Sequence, residues 1–174
     1  RDEETGTIAV NASLTGHYVF STLHTNDAPG AITRLIDMGV KPFLVAAATR
    51  AILAQRLVRK FCKKCEVTHT LTEGERKALD LTDEDLIDAR TMIGAGCQAC
   101  DGGGYKGRMG LFEVLELEDQ IKRLIIEGEA AGVLRDYALE NGLMKTLRQD
   151  GVRKVISGST SVAEVIRVTS SDEH

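Results

Sequence analysis

Four cysteines, all that the chain contains, fall into two C-x-x-C pairs, Cys62 with Cys65 and Cys97 with Cys100. Two thiolates three positions apart on a tight turn can converge on one metal ion, at Zn–S distances of about 2.3 Å. Two such pairs supply four sulfurs, which fill a tetrahedral shell and leave no open position for catalysis. The spacing therefore predicts a structural Zn²⁺ site.

Other interpretations of the cysteines are weaker. Disulfides are typical of secreted chains, and this sequence shows no secretory features. A thioredoxin-like redox pair would use a single C-x-x-C that opens a helix. Cys97 to Gly104 also matches one unit of the chaperone zinc repeat C-x-x-C-x-G-x-G, but a turn that needs positive φ explains Gly102 and Gly104 more simply. His69, near the first pair, is interpreted as a surface histidine rather than a metal ligand.

A second segment with chemical potential is Thr15 to Asn26, TGHYVFSTLHTN, which carries a histidine near each end. Its β-branched and aromatic centre predicts a buried strand of a parallel sheet, and Asp27 with Pro29 predicts the start of a helix. Ligands bind at the carboxyl ends of such strands, so the polar tip could sense a polar ligand. The alternative is that these side chains only satisfy the hydrogen bonds of a loop.

Composition limits the function classes. The chain has 174 residues, a net charge of −4 and 4% aromatic residues, which disfavours a nucleic-acid binder. No apolar run reaches the 18 or more residues of a membrane span. Five cations lie between Arg56 and Lys64, either as a solvated face or as a docking patch for an acidic partner or subunit.

Periodicity outlines the elements that position these residues. A first helix is predicted around Ile8 to Ser13, a second over Ala28–Met38 ended by Gly39, and a third over Phe43–Gln55. Later signals are two capping boxes, one strand and two helices. They are Thr72 with Glu75, Thr82 with Asp85, the strand Leu111–Leu117, a helix from Met144 to Ile156, and a last helix capped by Ser161. The first three helices and the single strand between Thr15 and Asn26 are too little for a whole sheet, so we expect further strands upstream of Arg1.

Several of these segments together resemble one protein family. The matching motifs are RDEET from Arg1, TGHYVFSTLHTNDA from Thr15 to Ala28, TRLIDMGV from Thr33, AQRLVR from Ala54, the two C-x-x-C pairs, GYKGRMG from Gly104, and TSVAEVIRV from Thr160. In this order they resemble the C-terminal portion of the type II secretion and type IV pilus assembly ATPases. Retraction-type relatives usually lack the cysteines, so the resemblance implies an assembly or secretion motor.

The resemblance implies an α/β fold: the C-terminal half of a RecA-like P-loop NTPase core (residues 1–60), a tetracysteine zinc-binding insertion (61–105), and a strand with a C-terminal helical bundle (106–174). It implies that His24 senses the γ-phosphate of ATP, supported by His17. It also implies nucleotide-proximal roles for Arg1, Asp2, Thr22, Thr25 and Asn26. The implied cofactors are structural Zn²⁺, ATP and Mg²⁺. The implied setting is a homohexamer beside an inner-membrane platform protein, on the cytoplasmic face of the bacterial inner membrane.

One departure from the family pattern limits this interpretation. The phosphate-binding motif G-x-x-x-x-G-K-[ST] occurs nowhere in the sequence. We therefore expect the parent protein to hydrolyse ATP and this stretch alone to be inactive. The alternative hypothesis is a zinc-stabilised adaptor that binds another protein without catalysis.

Overall fold

The structure, a computed structural model, describes residues 3–170, which fold as eight α-helices and four strands. The helices are α1 Glu3–Leu14, α2 Ala28–Asp37, α3 Pro42–Ala48, α4 Glu73–Ala78, α5 Asp119–Glu127, α6 Ala131–Glu140, α7 Leu147–Ile156 and α8 Val162–Thr169. The strands are β1 Ala51–Phe61, β2 Glu66–Thr68, β3 Met92–Gly94 and β4 Tyr105–Glu116. β1 pairs with β4, and β2 pairs antiparallel with β3. In this part of the chain no helix is long and apolar enough to cross a membrane.

Contacts divide the chain into two compact units. The first contains the described residues up to Ala54 together with Glu113–Lys145. Helices α1, α2, α3, α5 and α6 pack here around an apolar core. The most buried members of this core are Ala28, Ile32, Val45, Leu115, Ile121, Ile125, Leu134 and Ala138. Ile32 belongs to the apolar stripe predicted for α2, so the face that the sequence pattern predicts to be buried packs into this core.

The second unit contains Gln55–Phe112 and the described residues from Thr146 onward. It holds the β2–β3 pair and helices α4, α7 and α8. One apolar cluster joins Leu71, Leu79, Val155, Val162 and Val165, and another joins Val58, Leu111 and Leu147. Gly151 allows α7 to approach α8 closely, because a Cβ there would lie 2.4 Å from Val165 Cγ1.

Several predicted elements are confirmed. Asp27 caps α2, and its side chain accepts a hydrogen bond from Gly30 N at 2.8 Å. Thr72 and Glu75 form the predicted capping box of α4, and Ser161 caps α8. Thr82 and Asp85 bond to each other as predicted, although they lead only into a short 3₁₀ turn, Glu84–Leu86. Residues 144–146 precede α7 rather than belonging to it.

The buried strand predicted within residues 18–23 is wrong for the described chain. Residues 17–25 adopt neither helix nor strand, and Tyr18 and Phe20 are 91% and 94% exposed. A strand is stabilised by hydrogen bonds to a neighbouring strand, and none of the described residues pairs with this backbone. The β propensity of the segment is therefore not sufficient to form a strand.

The helix predicted over Phe43–Gln55 is correct only for its first part. α3 ends at Ala48, and β1 begins at Ala51. The residues that follow satisfy a helical and an alternating pattern equally well, because Ala54 and Val58 are four apart and also on one face of a strand. Pairing with β4 decides in favour of the strand.

Candidate functional site

The four cysteines lie on two turns at the ends of strands. Cys62 follows β1, Cys65 precedes β2, Cys97 follows β3, and Cys100 ends a 3₁₀ turn shortly before β4. Backbone bonds close both turns: Cys65 N donates to Cys62 O at 3.0 Å, and Cys100 N donates to Cys97 O at 3.1 Å. The two strand pairs thus carry the turns that the C-x-x-C spacing predicts.

The sulfur atoms form a compact cluster. The Sγ–Sγ distances are 4.0 Å between Cys62 and Cys97, 3.8 Å between Cys65 and Cys100, and 3.8 Å between Cys97 and Cys100. All four sulfurs lie within 4.8 Å of one another. A tetrahedron with Zn–S bonds of about 2.3 Å has edges of about 3.8 Å. The donor atoms therefore fit one four-coordinate metal ion.

The electrostatics of the cluster also favour a cation. Burial, reinforced by hydrogen bonds to neighbouring thiols, raises the pKa of Cys65 to about 12. The Cys97 and Gly104 amides donate to Cys100 Sγ, both at 3.3 Å, and lower its pKa to about 7. Four thiolates this close repel one another unless a divalent cation compensates their charge.

Glycines allow close backbone contact between β3 and the segment that precedes β4. Gly102 and Gly104 have φ of 77° and 73°, as predicted from the sequence. Gly94 and Gly104 lie back to back, so that a Cβ on Gly94 would come 2.0 Å from Gly104 O. This contact holds β3 against the backbone that precedes β4.

Gly94→Ala should therefore destabilise the second unit by roughly 1–3 kcal/mol, because backbone atoms must move to admit the methyl group. Urea unfolding of the metal-loaded chain measures this change. The control is Gly74→Ala on α4, where a Cβ would meet no atom within 4 Å. That variant should be unchanged or slightly more stable, since alanine favours a helix. Equal midpoints for both variants would contradict the close approach.

His69 is not part of the sulfur cluster. Its Nε2 lies 3.1 Å from Glu75 Oε2, the carboxylate that completes the capping box of α4. Burial opposes ionisation of Glu75, but hydrogen bonds from Thr72 and His69 outweigh it and lower the pKa of this carboxyl. The interpretation of His69 as a residue outside the metal shell is consistent with this pairing.

Most of the side chains expected near nucleotide are exposed. His17, Thr22, His24 and Asn26 are exposed, and Thr25 is half-buried. His17 Nδ1 lies 3.2 Å from Thr15 Oγ1, and no hydrogen bond joins His17 to His24 in the described structure. Arg1 and Asp2 lie outside the described residues. The described part of the chain therefore shows no hydrogen bond between the two histidines, and their roles stay predictions.

Side chains from distant parts of the sequence hold the end of this segment. Glu113 Oε1 accepts a hydrogen bond from Ala28 N at 2.7 Å, and Arg135 forms an ion pair with Asp27. Sequence reasoning missed both Glu113 and Arg135. The signal for Glu113 was the two-residue period of β4, which places it on the buried face with Leu111 and Leu115, whereas Phe112 and Val114 face outward.

The cationic run is partly neutralised within the second unit. Arg59 donates to Glu164 from its backbone and from its guanidinium, both at 2.8 Å, and the guanidinium lies 4.3 Å from the centre of the Tyr105 ring. Lys63 pairs with Glu66 at 3.0 Å. These contacts favour the solvated, paired face, and the docking patch stays a prediction.

Comparison with known proteins indicates the same family as the sequence motifs. Residues 1–167 match the family described as "Type II/IV secretion system protein". The chain is 45% identical to the type IV pilus assembly ATPase PilB of Thermus thermophilus, over 97% of this chain and 19% of that protein. It is 46% identical to the type II secretion system protein HxcR of Pseudomonas aeruginosa, over 97% and 32%. The chain thus spans about a fifth to a third of these curated relatives.

Solved structures share the fold at lower sequence identity. The crystal structure of the pilus retraction motor PilT with bound ADP matches with a TM-score of 0.61 and 23% identity, over 97% of this chain and 37% of that one. The Legionella pneumophila ATPase DotB matches with a TM-score of 0.62 and 19% identity, over 98% and 37%. At this level of identity the similarity concerns the fold.

Proposed function

Because this chain belongs to the type II/IV secretion system protein family, we propose that it is the C-terminal part of an ATPase motor for type IV pilus assembly or type II secretion. The observation that carries the proposal is identity of about 45%, over nearly all of the chain, to proteins named for these two tasks. The sulfur cluster supports the same assignment, because the paired cysteines are part of the resemblance.

The parent protein would supply what the chain lacks. The sequence has no G-x-x-x-x-G-K-[ST] motif, so the cradle for the β- and γ-phosphates and its lysine would come from the rest of the protein. This stretch alone would then neither hydrolyse ATP nor hold ATP and Mg²⁺ tightly.

Within this assignment, His24 would sense the γ-phosphate and His17 would support it, with Thr22, Thr25 and Asn26 as neighbouring polar contacts. Arg1 and Asp2 would complete the nucleotide site from the upstream side. Cys62, Cys65, Cys97 and Cys100 would hold Zn²⁺, which stabilises the fold and takes no part in the reaction. Residues 1–60, 61–105 and 106–174 would serve as the core, zinc element and helical subdomain.

The assembled motor would be a homohexamer in which neighbouring subunits complete each nucleotide site. It would work at the cytoplasmic face of the bacterial inner membrane, against a platform protein of the pilus or secretion machine. ATP hydrolysis would be coupled there to the movement of pilin or pseudopilin subunits.

The test is ATP turnover by the full-length parent, with His24→Ala compared with the wild type at equal metal content and oligomeric state. We expect kcat to fall by about 10-fold or more, with nucleotide affinity within about twofold, because the histidine would act after nucleotide binds. The control is His69→Ala, which also replaces a histidine by alanine, but at a residue that pairs with Glu75. This variant should leave turnover unchanged. A wild-type protein without ATP turnover would overturn the proposed ATPase motor and favour the zinc-stabilised adaptor. Equal turnover in the wild type and in His24→Ala would overturn the proposed role of His24.

A further inference from the structure

We propose that Glu113 is a positioning residue for His24, an inference that rests on the proposed function. Its carboxylate fixes the backbone where residues 17–26 enter α2. His24 lies four positions before Ala28, the residue whose amide Glu113 binds. Glu113 would thus act on turnover through the histidine, without contact to nucleotide.

The contact between Glu113 and Ala28 is buried and short, as a positioning role requires. Glu113 is 2% exposed, and its partner Ala28 is fully buried. The bond from Ala28 N to Glu113 Oε1 is short, at 2.7 Å. It joins β4 to the first residue of a ten-residue helix, where unpaired backbone N–H groups and the helix dipole favour a negative charge. A hydrogen bond in a buried place holds its geometry more firmly than an exposed one, because water does not compete for its donor and acceptor.

A second anchor acts on the adjacent residue. Asp27 binds Gly30 N with one carboxylate oxygen and pairs with Arg135 of α6 through the other. Two consecutive residues are therefore fixed by three contacts: the Glu113 carboxylate of β4, the Arg135 guanidinium of α6 and the backbone amide of Gly30 in α2. In the described structure residues 17–25 have no strand partner, so side-chain anchors at the helix start take the place of a sheet ladder.

The opposite end of the segment is held as well. Ser13, in the last turn of α1, donates from its hydroxyl to Ala48 O at 3.0 Å, which ties that turn to α3. The segment that carries both histidines is thus anchored at both ends, by the contact of α1 with α3 and by the contacts at the start of α2. The anchor at α2 is the nearer to His24. Loosening that end displaces His24 without touching its side chain.

The experiment is a double-mutant cycle on ATP turnover by the full-length protein, with Glu113→Ala, His24→Ala and the double variant. If Glu113 acts through His24, Glu113→Ala lowers kcat by about 10-fold in the wild-type background and by less than about twofold when His24 is already alanine. Glu113→Gln keeps an oxygen that can accept from Ala28 N, so it should recover most of the lost kcat. The matched control is Glu116→Ala, which removes an exposed glutamate from the same strand.

Three results would overturn the inference. Losses that multiply in the double variant would show that Glu113 acts independently of His24. Unchanged kcat in Glu113→Ala would show that the anchor does not matter for turnover. A wild-type protein without turnover would overturn the proposed function and this inference with it. The first two results, by contrast, require a wild-type protein that hydrolyses ATP, so they overturn the role of Glu113 alone. If Glu113→Ala does not fold, Glu113→Asp, which withdraws the carboxylate by one methylene, takes its place in the cycle.

Discussion

Cys97→Ser should reduce bound zinc from about one ion per chain to well below one, and it should destabilise the fold severely. Three of the four sulfurs would remain, but a serine oxygen is a poor replacement for a thiolate at a closed structural site. Because the binding free energy of structural zinc is about 10–16 kcal/mol and is coupled to folding, losing part of it consumes most of an ordinary domain's stability. We expect an affinity loss larger than the about 10–100-fold that a lost outer-shell partner causes.

Elemental analysis of the reduced protein and its thermal unfolding measure both effects. The control is Lys64→Ser, which places the same new side chain at an exposed position of the first turn, between Cys62 and Cys65. This variant should keep its zinc and its melting curve. A chelator should lower the wild-type melting temperature and change Cys97→Ser little. Full zinc content in Cys97→Ser, or an unchanged melting curve, would contradict a four-sulfur structural site.

The cluster of four sulfurs could be predicted from the sequence because the determinants of each turn are local. Each C-x-x-C pair closes its own turn, and the positive φ of Gly102 and Gly104 follows from glycine chemistry alone. The same holds for the capped helix starts at Asp27, Thr72 and Ser161, where the side chain accepts a hydrogen bond from the amide three residues ahead. In these places the sequence and the structure agree.

The disagreements concern positions where a distant part of the chain decides. Residues 18–23 have strand propensity but no partner among the described residues. Residues 51–55 fit two periods, and only pairing with β4 selects the strand. Glu113 interrupts an apolar face with a charge, and its burial depends on the amide of Ala28, which is 85 positions away in the chain. Propensity and periodicity carry no information about such partners.

Glu164 of α8 should make stability strongly dependent on pH in the acid range. Its side chain is 2% exposed and accepts hydrogen bonds from Arg59 and from Arg167. Burial opposes ionisation, but these bonds outweigh it and lower the pKa of Glu164 to about 2. The stabilisation is therefore complete above the unfolded-state pKa of about 4.3 and is lost as the pH falls toward about 2. A shift of this size corresponds to on the order of 3 kcal/mol.

Glu164→Gln should accordingly cost about 3 kcal/mol at pH 7, measured by urea unfolding. An amide cannot offer two charged oxygens to the guanidinium groups and the Arg59 amide. The cost stays at the lower end of the 3–5 kcal/mol range for broken buried pairs, because Arg59 and Arg167 have side chains 54% and 55% exposed and can regain water. The control Glu84→Gln alters an exposed glutamate of the same unit and should change stability by less than about 0.5 kcal/mol.

The difference between wild type and Glu164→Gln as a function of pH separates this carboxylate from the metal centre. At the proposed zinc site acid would also protonate the thiolates and release the metal, so the stability of each protein alone would fall for two reasons. Both proteins carry the same four cysteines, and the zinc contribution cancels in the difference. The remaining difference should be about 3 kcal/mol above pH 5 and should shrink toward zero as the pH approaches 2. A difference that does not change with pH would mean that the loss in Glu164→Gln comes from packing, and that the arginines do not hold Glu164 in its charged form.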